Sequence, residues 1–169
     1  MRRTGAESLS RAIEAGWTTS LDTGHDTKGE WMDVLEPCLK SIGILFANEA
    51  EARLIAGVEE LRAAAKVFLN AGVQTVVLKR GGDGCAVFEG VKEVWAKGFA
   101  VDVVDTTGAG DCFIGGFLAG LYRGGTMAEA ARLGNACGAL SASKMGSVSG
   151  LRGYQETIDW MRTTSTNGH

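Results

Sequence analysis

The sequence has one proline, two histidines and no C-x-x-C pair among its four cysteines, Cys38, Cys85, Cys112 and Cys137. With only His25 and His169 beside such scattered thiols, a zinc site is not expected. Single, well-separated thiols fit a reducing compartment, so the chain reads as cytoplasmic. It also lacks a strong charge of either sign: 17 basic against 20 acidic residues leave a net charge of -3. No long basic run occurs, so a nucleic-acid footprint is not supported. Phosphate binding must then come from local backbone geometry and one or two lysines, not from a general positive field. Long apolar runs are missing as well, and none approaches the roughly 20 residues that span a bilayer. The most apolar segment, Cys112 to Leu121, is broken by Gly115, Gly116 and Gly120. Met1 to Trp17 has two early arginines but no continuous apolar stretch, which argues against a signal peptide.

What is abundant is glycine, 25 of 169 residues, which with so little proline points to many tight backbone turns. The length suits one domain with a continuous core. Helix and strand signals alternate along it. Ser8 to Ala15 reads as helix, Thr18 to Leu21 as a short strand and Asp22 to Gly29 as a polar loop. Glu30 to Ile42 has helical apolar spacing interrupted by Pro37, and Ile44 to Phe46 is a short buried strand. Helices are expected from Asn48 to about Ala56 and from Glu59 to Ala71, with Gly72 as a C-cap. Val73 to Leu78 is the clearest strand and Gly81 to Gly84 the clearest turn. Cys85 to Phe88 and Lys92 to Ala96 suggest a hairpin around Glu89-Gly90, and Val101 to Val104 another extended run. Helices follow over Ala109 to Tyr122, Met127 to Ser143 and Tyr154 to Met161, the second opened by a Thr126/Glu129 capping box. Strands separated by helices imply an α/β fold with parallel strands. The organisation expected is one unit over residues 1–162 and a loose polar tail over 163–169.

The chemistry concentrates in Asp105-Thr106-Thr107-Gly108-Ala109-Gly110-Asp111. It joins an apolar extended run to an apolar helix, the place where ligands bind at the carboxyl ends of strands in α/β sheets. Gly108 and Gly110 allow backbone N–H groups to point together at one anion, and the helix start adds partial positive charge. Asp111 at that helix start can accept a proton from a hydroxyl. The structural alternative is a glycine-rich turn whose helix is capped by Asp111. Two other motifs fail on inspection: a dinucleotide fingerprint from Gly108 needs glycine where Phe113 stands, and a Walker loop from Gly110 meets Gly116 at its lysine position.

Asp105 to Asp111, continued by Phe113 and the helix to Leu121, resembles the D-T-x-G-A-G-D signature of the ribokinase-like (phosphofructokinase B, PfkB) carbohydrate kinases. The resemblance implies a partial ribokinase-like, Rossmann-like three-layer sandwich, its mostly parallel sheet flanked by helices. It implies transfer of a phosphoryl group from ATP, with Mg2+, to a sugar hydroxyl. Asp111 would be the base, Gly108, Ala109 and Gly110 the anion hole, and Thr106 a nucleotide contact. Asp105 would lie near a monovalent-cation site that some members fill with K+. Asn48-Glu49-Ala50-Glu51 has the form of a capping box. It also matches the family's N-x-x-E, which implies that Asn48 and Glu51 help place magnesium, mostly through water. In Leu78 to Gly84 the family's strand-turn implies nucleotide contacts for Lys79, Gly81 and Gly84, while Arg80 reads as a surface charge. Asn135 matches a helix lining the adenine pocket, although a buried asparagine with satisfied hydrogen bonds is equally consistent. Lys144 to Ser149 matches the loop that covers the purine. Cys112 is a candidate reactive thiol or simply a small buried residue.

The likeness runs from Thr18 to about Tyr154 and covers only the family's C-terminal portion, Met1 to Gly16 resembling the helix before its central strand. The sugar-binding glycines and β lid of the N-terminal half have no counterpart, and Asp22 to Lys28 is the one loop that could face a substrate. A chain of this kind is expected to self-associate or to require the missing half. Alternatives kept open are a nucleotide-binding fragment without independent activity, a kinase of a nucleoside or another small alcohol, and an unrelated α/β domain holding a different anion.

Overall fold

The computed structural model describes residues 2–24 and 29–168. Seven helices and five strands occur among them, in the order α1 (Arg2–Glu14), β1 (Ser20–Asp22), α2 (Trp31–Leu39), β2 (Ile44–Asn48), α3 (Glu49–Ala56), α4 (Leu61–Asn70), β3 (Thr75–Lys79), β4 (Cys85–Glu89), β5 (Lys92–Ala96), α5 (Ala109–Tyr122), α6 (Met127–Ala142) and α7 (Tyr154–Thr163). The strands form one sheet in the order β1-β2-β3-β4-β5, in which β1 to β3 are parallel. The α/β class expected from the sequence is the class found. The chain divides into two compact units, Met1–Lys79 with Val87–Glu93, and Arg80–Ala86 with Val94–His169.

In the first unit, the apolar runs of β2 and β3 are buried at four successive positions each, as parallel strands covered on both faces require. Phe46, Phe68, Leu39, Ile42, Leu45 and Leu78 fill this core. Pro37 lies inside α2 near its end, and that helix stops at Leu39, short of the Ile42 expected. Asn48 caps α3 in a full capping box with Glu51, and the left-handed Gly57 ends the helix.

The second unit is built on α5 and α6, with Phe113, Phe117, Ala130, Ala131, Leu133 and Ala136 buried. Thr126 and Glu129 make the capping box expected at the start of α6. Val101 to Val104 does not enter the sheet. Val103 and Val104 are exposed, and the N–H groups of Val104 and Asp105 both donate to the Ala142 carbonyl at the end of α6, at 2.8 and 3.2 Å. The backbone there is tied to a helix terminus instead of a strand. Residues 164–168, expected to be loose, are held. Ala100 N donates to Ser165 O at 3.0 Å and Asn167 N to Gly98 O at 2.9 Å, so this segment pairs the backbone that follows β5. No helix among the described residues is long and apolar enough to cross a membrane.

Candidate functional site

The second unit holds the D-T-T-G-A-G-D loop. Gly108 is the N-cap of α5 with φ of 76°, and the helix has no side-chain cap, so the capping role considered for Asp111 is not the one it plays. A Cβ at Gly108 would lie 2.5 Å from Ser147 Cβ, so this position combines a left-handed backbone with close approach of the 144–149 loop. Ala109 already donates its N–H to Thr106 O at 3.1 Å, which removes it from the anion hole expected on residues 108–110. The first-turn N–H groups with no protein acceptor among the described residues are those of Gly108, Gly110 and Asp111. They are the orphan donors of a helix start, carrying its positive end. Asp111 itself is exposed, and its carboxylate has no hydrogen-bond or ion-pair partner among the described residues. Thr106 is likewise exposed, at the mouth of the turn.

Asp105 anchors this loop. Its Oδ1 accepts from Thr107 N at 2.9 Å and its Oδ2 from Gly146 N at 3.0 Å. These hydrogen bonds, Thr107 N–H first, then Gly146 N–H and the Thr107 hydroxyl, hold the carboxyl below the usual aspartate range. A lowered folded-state value means that this anchor is complete above the unfolded aspartate value of about 3.9 and is lost as pH falls through the lower folded value. Replacing Asp105 by Asn should therefore loosen both segments at neutral pH, read as faster hydrogen exchange at the Thr107 and Gly146 amides than in the parent. The 144–149 loop is pinned further by Ser147 O, which accepts from Ser141 Oγ at 2.8 Å and Cys112 Sγ at 3.1 Å. Cys112 is buried in this contact and acts as a small packing residue.

Asn135 and Gly84 have structural work in the same unit. Asn135 is buried and its Nδ2 donates to the carbonyls of Ala96 and Lys97 at 3.0 and 3.1 Å, the satisfied core asparagine considered beside the adenine-pocket role. Gly84, with φ of 93°, lies against the backbone of 96–98, where an added Cβ would collide with Ala96 O and come 2.7 Å from Lys97 C. Gly81, also left-handed at 55°, faces open space. Burial raises the Cys85 thiol to about 12, which keeps it protonated.

In the first unit, β1, β2 and β3 end at Asp22, Asn48 and Lys79, with Asn48 opposite Lys79 in register. Parallel strands thereby bring these three polar side chains to the same end of the sheet, with Thr23 just past β1 and Glu51 in the first turn of α3. Lys79 Nζ pairs with Asp22 Oδ1 at 2.8 Å, and Thr23 Oγ1 donates to Glu51 Oε2 at 2.8 Å. Glu51 Oε2 also accepts from Asn48 N at 3.1 Å, and Asn48 Oδ1 accepts from Glu51 N at 2.8 Å. Asn48 Oδ1 is thus engaged in the cap, leaving Nδ2 as its outward polar group. Thr23 was named by the sequence only within the Asp22 to Lys28 loop, and its 25–28 portion lies outside the described residues, as do His25 and His169. Strand-end position is the signal that would have found it. No group of three or more His, Cys, Asp or Glu suited to a metal occurs among the described residues. One buried carboxylate with an open oxygen still fits Mg2+, which keeps its waters and is completed by substrate phosphates.

The model of the pfkB family carbohydrate kinases matches residues 8–152. The chain is 35% identical over 152 residues to an "uncharacterized sugar kinase" of Archaeoglobus fulgidus, covering 88% of this chain and 60% of the relative. It is 40% identical over 128 residues to a ribokinase of Haemophilus influenzae, covering 73% and 42%. Among solved structures, the ribokinase of Arabidopsis thaliana complexed with ribose and ATP superposes with a TM-score of 0.82 at 26% identity, covering 94% of this chain and 52% of that one. Aminoimidazole riboside kinase of Salmonella enterica, complexed with aminoimidazole riboside and an ATP analog, gives 0.82 at 27% identity, covering 92% and 56%. The chain spans about half the length of the relatives it matches.

Proposed function

Since the chain belongs to the pfkB family of carbohydrate kinases, we propose that it supplies the nucleotide-binding and catalytic part of an ATP-dependent phosphotransferase acting on a sugar hydroxyl. The observation that carries this reading is the start of α5, where unpaired N–H groups of Gly108, Gly110 and Asp111 accompany a free Asp111 carboxylate. Phosphoryl transfer asks for little covalent help from a protein and much positioning and charge stabilisation. The N–H groups stabilise negative charge on the equatorial oxygens of the transferring group. Asp111 takes the proton of the attacking hydroxyl as its oxygen bonds to the γ-phosphorus and the bridging bond to ADP breaks. Lys79 exchanges its Asp22 partner for a phosphate oxygen. Glu51 would accept hydrogen bonds from magnesium-bound water and the Asn48 Nδ2 would donate to a phosphate oxygen beside it, while the ion, when bound, would neutralise charge on the phosphates. Thr106 and Gly81 contact the nucleotide, and a K+ near the Asp105 and 144–149 loops would serve the same charge. The reaction belongs to the cytoplasm, where ATP is available.

A second reading has its own support. Because the chain spans about half of its relatives, it can be a nucleotide-binding fragment that turns over no sugar alone and associates with itself or with a complementing half. Relatives named ribokinase, cytidine kinase and 2-dehydro-3-deoxygluconokinase define the acceptors to try. With MgATP and ribose, cytidine or 2-dehydro-3-deoxygluconate, the enzyme reading expects ADP release that depends on one acceptor. ADP release with none of them, alongside nucleotide binding, selects the fragment reading.

A further inference from the structure

Glu51 is buried, with 8% of its surface exposed, yet its two carboxylate oxygens are treated unequally. Oε2 accepts two hydrogen bonds, from the Asn48 N–H and from the Thr23 hydroxyl. Oε1 receives none from any described residue, and no fully buried side-chain oxygen there lacks a partner, so Oε1 reaches solvent. The capping box accounts for the Asn48 bond, which any helix of this kind makes. It does not account for Thr23. That residue lies 28 positions away, immediately after β1, and its own backbone is fixed because Thr23 N donates to Phe46 O at 3.0 Å. A strand-end backbone bond therefore aims a hydroxyl at one oxygen of a buried carboxylate and prevents the carboxylate from rotating.

We infer that Thr23 is a positioning residue that holds Glu51 Oε2 so that Oε1 alone is presented to hydrated magnesium. The inference rests on the metal role proposed for Glu51. Outer-shell partners of ligating carboxylates commonly change metal affinity 10- to 100-fold when removed. Thr23 acts through Glu51 and touches neither nucleotide nor metal. Its loss should therefore appear in magnesium dependence and leave nucleotide binding without magnesium as it was.

The test is calorimetric titration of the whole chain with a non-hydrolysable ATP analogue at several magnesium concentrations, for the parent, Thr23→Val, Thr23→Ser and Glu51→Gln. Thr23→Val keeps the shape and deletes the donor, whereas Thr23→Ser keeps the donor. The expected result is that Thr23→Val needs roughly 10-fold more magnesium for half its effect on analogue binding. Thr23→Ser should restore parent behaviour, and magnesium-free binding should be equal in all three. Parent-like magnesium dependence in Thr23→Val, with Glu51→Gln impaired, overturns the positioning role alone. Parent-like dependence in Glu51→Gln overturns the metal role of Glu51, and the inference falls with it. Should Thr23→Val fail to fold, judged by circular dichroism, Thr23→Ala replaces it in the same comparison. Loss of fold in both would show that Thr23 serves stability instead.

Discussion

Replacing Asp111 by Asn is expected to lower phosphoryl transfer by about 10²- to 10⁴-fold without weakening binding of a non-hydrolysable ATP analogue. The amide has nearly the same shape but cannot take a proton from the attacking hydroxyl. Nothing in the fold depends on the charge, because the carboxylate makes no hydrogen bond or ion pair among the described residues and does not cap α5. Thermal stability should consequently stay near that of the parent. A helix-start carboxylate contributes only about 0.3–1 kcal/mol through the dipole. An equal fall in analogue affinity would mean that Asp111 organises the anion site and is not the base. Unchanged turnover would remove it from the chemistry. The measurement is steady-state ADP release with the accepted alcohol, set beside calorimetry of the same variant.

The second large effect belongs to Gly108. Its left-handed φ of 76° costs a side-chain-bearing residue roughly 1–2 kcal/mol. An added Cβ also falls 2.5 Å from Ser147 Cβ, and relieving such overpacking typically costs a further 1–3 kcal/mol. Gly108→Ala should therefore destabilise the second unit by about 2–5 kcal/mol. That is a large share of the stability of an ordinary domain. The loss should show in urea unfolding as a lower midpoint with an unchanged slope. Displacing Ser147 also disturbs its contacts with Ser141 and Cys112, so the N–H groups at the start of α5 lose their arrangement and the anion site should fail together with the turn. A variant as stable as the parent would mean that the 144–149 loop is not packed on Gly108.

The parts of this molecule legible in its sequence are those governed by neighbours along the chain. The Asn48/Glu51 and Thr126/Glu129 boxes and the limits of α5 follow from three-residue spacing and apolar periodicity, and the structure has them. Val101 to Val104 shows where local propensity loses: a β-branched run reads as strand, but its backbone bonds go to the end of α6. The pairing of the N–H groups at the start of α5 was also hidden. Composition cannot tell that Ala109 donates inward to Thr106 while Gly110 and Asp111 do not. Asn135 and Gly84 look like ligand contacts in a motif, whereas their burial against residues 96–98 is a tertiary fact. Thr23 was the least legible, because its partner Glu51 lies in the first turn of α3, beyond the end of β2, and only the register of β1 on β2 brings the two together.

The most direct test is isothermal titration of the purified chain with magnesium and a non-hydrolysable ATP analogue, in parallel with Gly110→Asp, which sets a carboxylate among the N–H groups proposed to hold the anion. Saturable binding is expected for the parent and none for the variant, with both chains folded by circular dichroism. Absence of binding by a folded parent chain, or equal binding by Gly110→Asp, would contradict the proposed function.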